Sequence, residues 1–345
     1  MGEQTGHGTV VDGIVTAGGV HCETSTLGVL LGHAGLSLSE PMLFGLGAGL
    51  SFIYWDSKQQ QVPFLGGRVK PFVLTQNLCA RLGLDLQVHE TTSPTRAWEQ
   101  VRSAVDRQIP VGLQLDSHDL EYFTSRVHFA GHVVALYGYD DTTAYLVDTA
   151  QQGGRVTTSL PSLARARAAR GPMSARHRSF TLAGPVDQPT AADLAPAVVE
   201  AVVACAQEFL TPPIANLGNR GIRTAARRVR TWLDRVEDPA RDLTLVATLM
   251  DRAGTGGALF RNLYRDFLTE SAQLLDGHPG AAVVARGGDL FAESARLWTR
   301  VAELVGAAGA AAEPAHLAGA SRVLDEIAEI ETTAMTTLRS LDLDR

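Results

Sequence analysis

Three residues in the first half of the chain are of types that can share one reaction: Cys22, His132 and Asp148. Cys22 follows Gly18-Gly19-Val20-His21 and opens the apolar run "CETSTLGVLLGHAG", with Leu27, Leu30, Leu31 and Ala34 on one helical stripe and Gly35 as a stop. A helix starting at Cys22 or Glu23 presents unpaired amides and the positive end of its dipole to the sulfur, which stabilises a thiolate. The same amides can hold the oxyanion that forms when that sulfur attacks a carbonyl. The plainer alternative is a small hydrophobe packed in a core, as most free cysteines are.

A thiol nucleophile needs a base with an orienting partner. His132 opens the β-forming run "HVVALYGY", the turn signal "DDTT" follows, and "AYLVD" returns to Asp148. A turn centred on Asp141 sets Asp148 opposite Val134, on the His132 face and about 7 Å from it across the ladder. A two-residue turn centred between Asp141 and Thr142 would put the pair on opposite faces, so the arrangement needs an odd-length loop or a bulge. His128 is the rival base. The Gly131-His132 step into the strand favours His132 and leaves His128 in a loop at the cleft rim. His21 beside Cys22 suggests a metal pair, but neighbours at a helix start point apart and no third ligand is near in sequence, so neither metal nor cofactor is expected. Cys79 and Cys205 sit on apolar helical faces and read as core.

The elements that must position these residues change character near residue 185. Before it, "LDLQVHE", "PVGLQL", "HVVALYGY" and "AYLVD" read as strands, and "SPTRAWEQVRSAV" as a helix capped by Ser93, with Pro94 in its first turn and Ala97, Trp98, Val101 and Val105 inward. After the linker "LAGPVDQPTAADLAP" the pattern is helical from Ala197 to Leu341, without a fixed repeat. The expectation is an α+β domain over 1–185 and an all-α domain over 196–345. A chain of 345 residues with 45% hydrophobic content supports two such cores. Three widely spaced cysteines argue against a disulfide framework and for a reducing, cytoplasmic setting. No apolar run reaches about 18 residues, the N-terminus lacks the pattern of a secretory signal, and a net charge of −7 gives no reason to expect nucleic acid or an anionic membrane as partner.

A cysteine at an early helix start, followed by a late hairpin carrying histidine and then Asp or Asn, resembles the papain-like cysteine peptidase superfamily, including its double-glycine leader peptidase branch. More closely, "HCETSTLGVLL", "LSEPMLFGLGAGLSFIYW", "GHVVALYGYDD" and "YLVDTA" resemble the N-terminal domain of the BtrH family of butirosin biosynthesis, over residues from about 20 to 185. The helical remainder, with "GTGGALFRNLYRDFL", is similar to the uncharacterised domain often fused behind it. The resemblance implies a papain-like fold and transfer of an acyl group from a carrier-protein thioester to an amine through an acyl-cysteine. Cys22 would be nucleophile, His132 base and Asp148 orienter. Leader peptidases carry a glutamine shortly before the cysteine, where this chain has Val15, Thr16 and Ala17. The oxyanion site would then rest on the Cys22 amide with help from Thr16 or His21.

Glu40 either caps "SEPMLFG" or binds a substrate amine. "FGLGAGLSF" precedes a strand, lacks a dinucleotide fingerprint, and reads as backbone passing near the cleft; "DRAGTGGALFR" lacks the Lys-Ser/Thr of a phosphate loop and reads as a tight turn between helices. Arginines cluster at Arg165, Arg167, Arg170, Arg176 and Arg178, and again at Arg220, Arg223, Arg227, Arg228 and Arg230. Solvated faces are the usual meaning of such runs. Because carrier proteins are acidic, Arg223, Arg227 and Arg228 are also candidates for steering an acyl carrier protein. The sequence therefore points to a cysteine acyltransferase with a thioester donor and a small amine acceptor. A cysteine hydrolase (thioesterase, amidase or peptidase) and a silent binding module in which Cys22 only packs are the alternatives.

Overall fold

The computed structural model describes residues 8–15, 18–56, 62–125, 127–252 and 257–342. In chain order its elements are β1 (Thr9–Val10), α1 (Cys22–Ala34), α2 (Glu40–Leu46), β2 (Leu50–Trp55), β3 (Phe64–Arg68), α3 (Val73–Arg81), β4 (Leu86–His89), α4 (Pro94–Asp106), β5 (Val111–Leu115), β6 (His132–Tyr139), β7 (Thr143–Val147), β8 (Arg155–Ser159), α5 (Leu160–Ala168) and β9 (Ser179–Leu182). Helices α6 (Ala191–Leu210), α7 (Gly218–Val229), α8 (Pro239–Arg252), α9 (Ala258–Leu274), α10 (Gly280–Ala311) and α11 (Pro314–Arg339) complete the chain. No described helix is long and apolar enough to cross a membrane.

These elements form two compact units, Met1–Leu43 with Lys70–Pro189, and Phe44–Val69 with Thr190–Arg345. The first is α+β. Its antiparallel sheet runs β4-β9-β5-β6-β7-β8, with β1 added beside β6. Helix α1 begins at Cys22 and ends at Gly35, whose φ of 101° is open to glycine and strained for other residues. More of α1 is buried than the predicted stripe: Glu23, Thr24, Thr26 and Val29 are covered along with Leu27, Leu30 and Leu31. Helix α4 follows the sequence reading, with the Ser93 hydroxyl accepting from the Arg96 amide and Ala97, Val101 and Val105 inside.

The hairpin of β6 and β7 decides which face Asp148 occupies. Its turn is the two-residue one, closed by the Asp140 amide on the Thr143 carbonyl at 2.9 Å, and near it Tyr139 pairs with Ala144 and Gly138 with Tyr145. Carried through the strand, that register would put Asp148 on the face opposite His132. A bulge at Tyr137 inserts one extra residue into β6, after which Leu136 pairs with Leu146 and Ala135 with Val147. Asp148 is thereby returned to the side of His132, Val134 and Leu136.

The second unit draws on both sides of the 185/196 division. Residues 44–69 belong with the helices because the β2–β3 hairpin spends its polar and apolar groups there. The Tyr54 amide bonds the Asn216 carbonyl at 2.9 Å, Cys205 Sγ meets the Leu50 carbonyl at 3.5 Å, and the Phe52 ring lies 5.4 Å from that of Trp298. Arg261 and Glu331, both without solvent exposure, form a bidentate pair at 2.8 and 2.9 Å. Glu331 also accepts from Ser294 Oγ and Trp298 Nε1, while Arg261 reaches the Ser51 and Gly67 carbonyls of the hairpin. These partners limit the desolvation cost of both buried charges. The glycine-rich segment also serves this unit: a Cβ on Gly45 would stand 1.9 Å from the Phe267 ring. At Gly45 that segment packs closely on α9. Gly257, at the start of α9, leaves no room for a side chain against the Met250 carbonyl; the expected turn falls on residues 253–256, which lie outside the described residues. Helix α6 starts earlier than the pattern suggested, at Ala191, because Thr190 and Asp193 form a reciprocal capping box.

Candidate active site

Cys22 is the first residue of α1, and the loop before it is held from three directions. The Ala150 amide, just past Asp148, donates to the Gly19 carbonyl at 2.9 Å. Glu40 accepts from the Val20 amide, the His21 amide at 2.9 Å and Thr24 Oγ1 at 2.7 Å. Ser25 donates its amide and its hydroxyl to the His21 carbonyl, closing the first turn. Position 19 requires glycine, since a Cβ there would lie 2.5 Å from Ser25 Oγ and 2.6 Å from Glu40 Oε1. Glu23, fully buried, in turn accepts from the Phe72 and Thr75 amides at the start of α3 and from Thr75 Oγ1. Two carboxylates therefore brace the end of α1 that carries the thiol.

His132 lies at the start of β6, its Nε2–H donating to Asp148 Oδ2 at 2.8 Å. The Cys22 side chain lies near enough to the ring to act on its charge, and Nδ1 is the nitrogen that Asp148 leaves open. All three side chains are buried, at 8%, 6% and 1% exposure for Cys22, His132 and Asp148. Burial by itself would lower the His132 pKa; the charge of Asp148, the neighbouring Cys22 and the hydrogen bond to Asp148 outweigh it and push the imidazole up to about 10. Burial likewise works against the Asp148 charge, yet His132, the Thr149 amide and Tyr122 hold its carboxyl below the usual range. The arrangement favours an imidazolium paired with a carboxylate and set beside the thiol.

The other predicted residues separate. His128 bonds Asp116 Oδ2 through Nδ1 at 3.0 Å, stacks on the His118 ring at 3.8 Å and is 70% exposed in its side chain, so it pairs with a different carboxylate from His132. His21 is buried with Nδ1 3.3 Å from Thr24 Oγ1, inside the first turn of α1. Ser39 Oγ, and not Glu40, caps α2 by accepting from the Met42 amide, and the Glu40 carboxylate bonds the loop before Cys22. Thr16 lies outside the described residues. Cys79 and Cys205 are core thiols at 2% and 1% exposure, and burial pushes Cys79 up to about 12. Among the described residues no group of three or more His, Cys, Asp and Glu is placed to hold a metal ion.

The arginine clusters are not continuous free faces. Arg167 is 4% exposed and donates to the Ala97 and His177 carbonyls, while Arg178 bonds Glu90 and Gln114. On α7, Arg223 pairs with Glu329 at 2.9 Å; Arg227 and Arg228 are exposed. Sequence reasoning passed over Tyr122, whose hydroxyl donates to Asp148 Oδ2 at 2.8 Å, and Phe123, whose ring meets the His132 ring edge to face at 5.1 Å. Both sit in an aperiodic loop, and only the aromatic pair amid polar residues hints at a buried task.

Residues 21–149 match the family model described as Butirosin biosynthesis protein H, N-terminal, and residues 161–338 match the model of a domain of unknown function (DUF4872). Comparison of the chain with curated proteins finds no match.

Proposed function

The chain belongs to the family that joins a butirosin biosynthesis protein H N-terminal domain to DUF4872, and from that premise we propose that it is a cysteine-dependent acyltransferase of natural-product biosynthesis, its catalytic domain papain-like. The observation that supports this reading is the buried run Cys22–His132–Asp148, with the thiol at a helix N-terminus and the imidazole between thiol and carboxylate.

In this reading Cys22 Sγ attacks the carbonyl carbon of a carrier-protein thioester, and the amide of Cys22 stabilises the oxyanion. Collapse breaks the donor C–S bond; the departing thiolate takes the proton from His132, leaving acyl-cysteine and carrier thiol. The acceptor amine then attacks the acyl-cysteine, His132 removes its proton, and collapse releases the amide and the Cys22 thiolate. Exchange of one thioester for another is nearly isoenergetic, so the barrier lies in orientation and in holding the oxyanion. Asp148 fixes the imidazole tautomer and stabilises its charged form.

The experiment is competitive alkylation: limiting iodoacetamide at neutral pH followed by peptide mapping. Cys22 should label well before Cys79 and Cys205. Equal labelling of the three would remove the nucleophile and leave packing as the role of Cys22.

A further inference from the structure

We infer that Tyr122 is a positioning residue of this site, acting on the reaction through Asp148. The inference rests on the acyltransferase reading and adds to it a group from a different part of the chain.

Two donors share one carboxylate oxygen: His132 Nε2–H and the Tyr122 hydroxyl each lie 2.8 Å from Asp148 Oδ2, while Asp148 Oδ1 accepts from the Thr149 amide at 2.7 Å. The carboxylate is thus fixed in plane by Thr149 and in direction by Tyr122, so its orientation survives when the His132 proton moves. A neutral donor to a buried carboxylate stabilises the anion over the acid. Burial and the charges of Asp148 and Cys22 also raise the Tyr122 phenol, keeping it protonated and a donor throughout the working range.

The surrounding chain is built to deliver this hydroxyl. Asp116, at the end of β5, accepts from the His118 amide at 3.0 Å and the Phe129 amide at 2.8 Å, so one carboxylate ties both ends of the loop. Leu120 is fully buried beneath it. On one side of Tyr122, Glu121 accepts from the Ser159 amide at 2.9 Å and the Ser159 hydroxyl at 2.7 Å, anchoring the loop to β8. Strand β8 pairs with β7, the strand that carries the chain into Asp148. On the other side, Phe123 covers the His132 ring. The Tyr122 position is therefore set against both members of the pair it serves.

The test uses the full chain, acetyl-N-acetylcysteamine as thioester probe, and mass-detected loading of Cys22 against pH. Tyr122→Phe keeps the ring and leaves Asp148 bonded to His132, so the fold should hold, which a melting curve checks. The maximal loading rate should fall about ten-fold, the worth of one hydrogen bond to a charged group. The half-saturating probe concentration should stay unchanged. Because the lost donor favoured the carboxylate, the acid limb of the profile should move up by about one pH unit. In an Asp148→Asn background, Tyr122→Phe should cause no further loss. An unmoved acid limb with an unchanged rate, or an equal loss in the Asp148→Asn background, overturns the inference alone. Failure of wild-type Cys22 both to load and to alkylate ahead of Cys79 and Cys205 overturns the acyltransferase reading, and this inference with it.

Discussion

Replacing Asp148 by asparagine separates the electrostatics of the site from its packing. The wild-type carboxylate is 1% exposed and accepts three hydrogen bonds, from His132, Tyr122 and the Thr149 amide. Alanine would strip the acceptor from all three donors at about 1–3 kcal/mol for each one left unsatisfied, a large part of the stability of an ordinary domain. Asparagine keeps the shape and one acceptor oxygen, so its cost should be about 2 kcal/mol where both charges are present. That cost should depend on pH in a defined way. The folded His132 pKa lies above its ordinary 6.5, so its stabilising pairing is complete below 6.5 and is lost as pH rises toward about 10. The folded Asp148 pKa lies below its ordinary 3.8, so its contribution is complete above 3.8 and is lost as pH falls through the depressed value. The stability difference between wild type and Asp148→Asn, measured by urea denaturation at a series of pH values, should be largest between 3.8 and 6.5 and shrink on the alkaline side. Acyl transfer should fall at least about a hundred-fold in the same variant. A stability difference flat from about pH 5 to 9 would refute the charged pair.

Breaking the Arg261–Glu331 pair by Arg261→Met should destabilise the second unit by about 3–5 kcal/mol, and Glu331→Leu added to it should recover most of that loss, both read by chemical denaturation. Charge reversal at Arg227 and Arg228 should slow loading from an acyl carrier protein roughly five-fold at low salt, with the effect fading as salt rises, and leave small thioester probes untouched. Stopped-flow or quenched loading assays at two ionic strengths check this.

Much of the site was legible because it is written in local signals. A helix start at Cys22 follows from the Gly-Gly turn, the apolar stripe and Gly35, and the hairpin strands from their β-forming runs. The face of Asp148 was legible only as a condition. The requirement for an odd loop or a bulge is met by Tyr137, and no residue of "ALYGYDD" announces a bulge, since Gly138 marks close approach to the Thr9 carbonyl equally well. What escaped was long-range. Glu40 braces the loop before Cys22 from 20 residues away in sequence, and Arg261 binds a hairpin roughly 200 residues before it. Tyr122 reaches Asp148 from an aperiodic loop. Composition and periodicity report which face of an element is buried; they carry no information on which other element covers it.

The most direct measurement is intact mass spectrometry of the chain after mixing with a carrier-borne acyl thioester in the absence of amine. A covalent acyl increment mapped to Cys22 is expected, lost in Cys22→Ser and discharged when a primary amine is added. Donor consumption by Cys22→Ser at the wild-type rate, with no adduct on the wild type, would contradict the acyl-cysteine route.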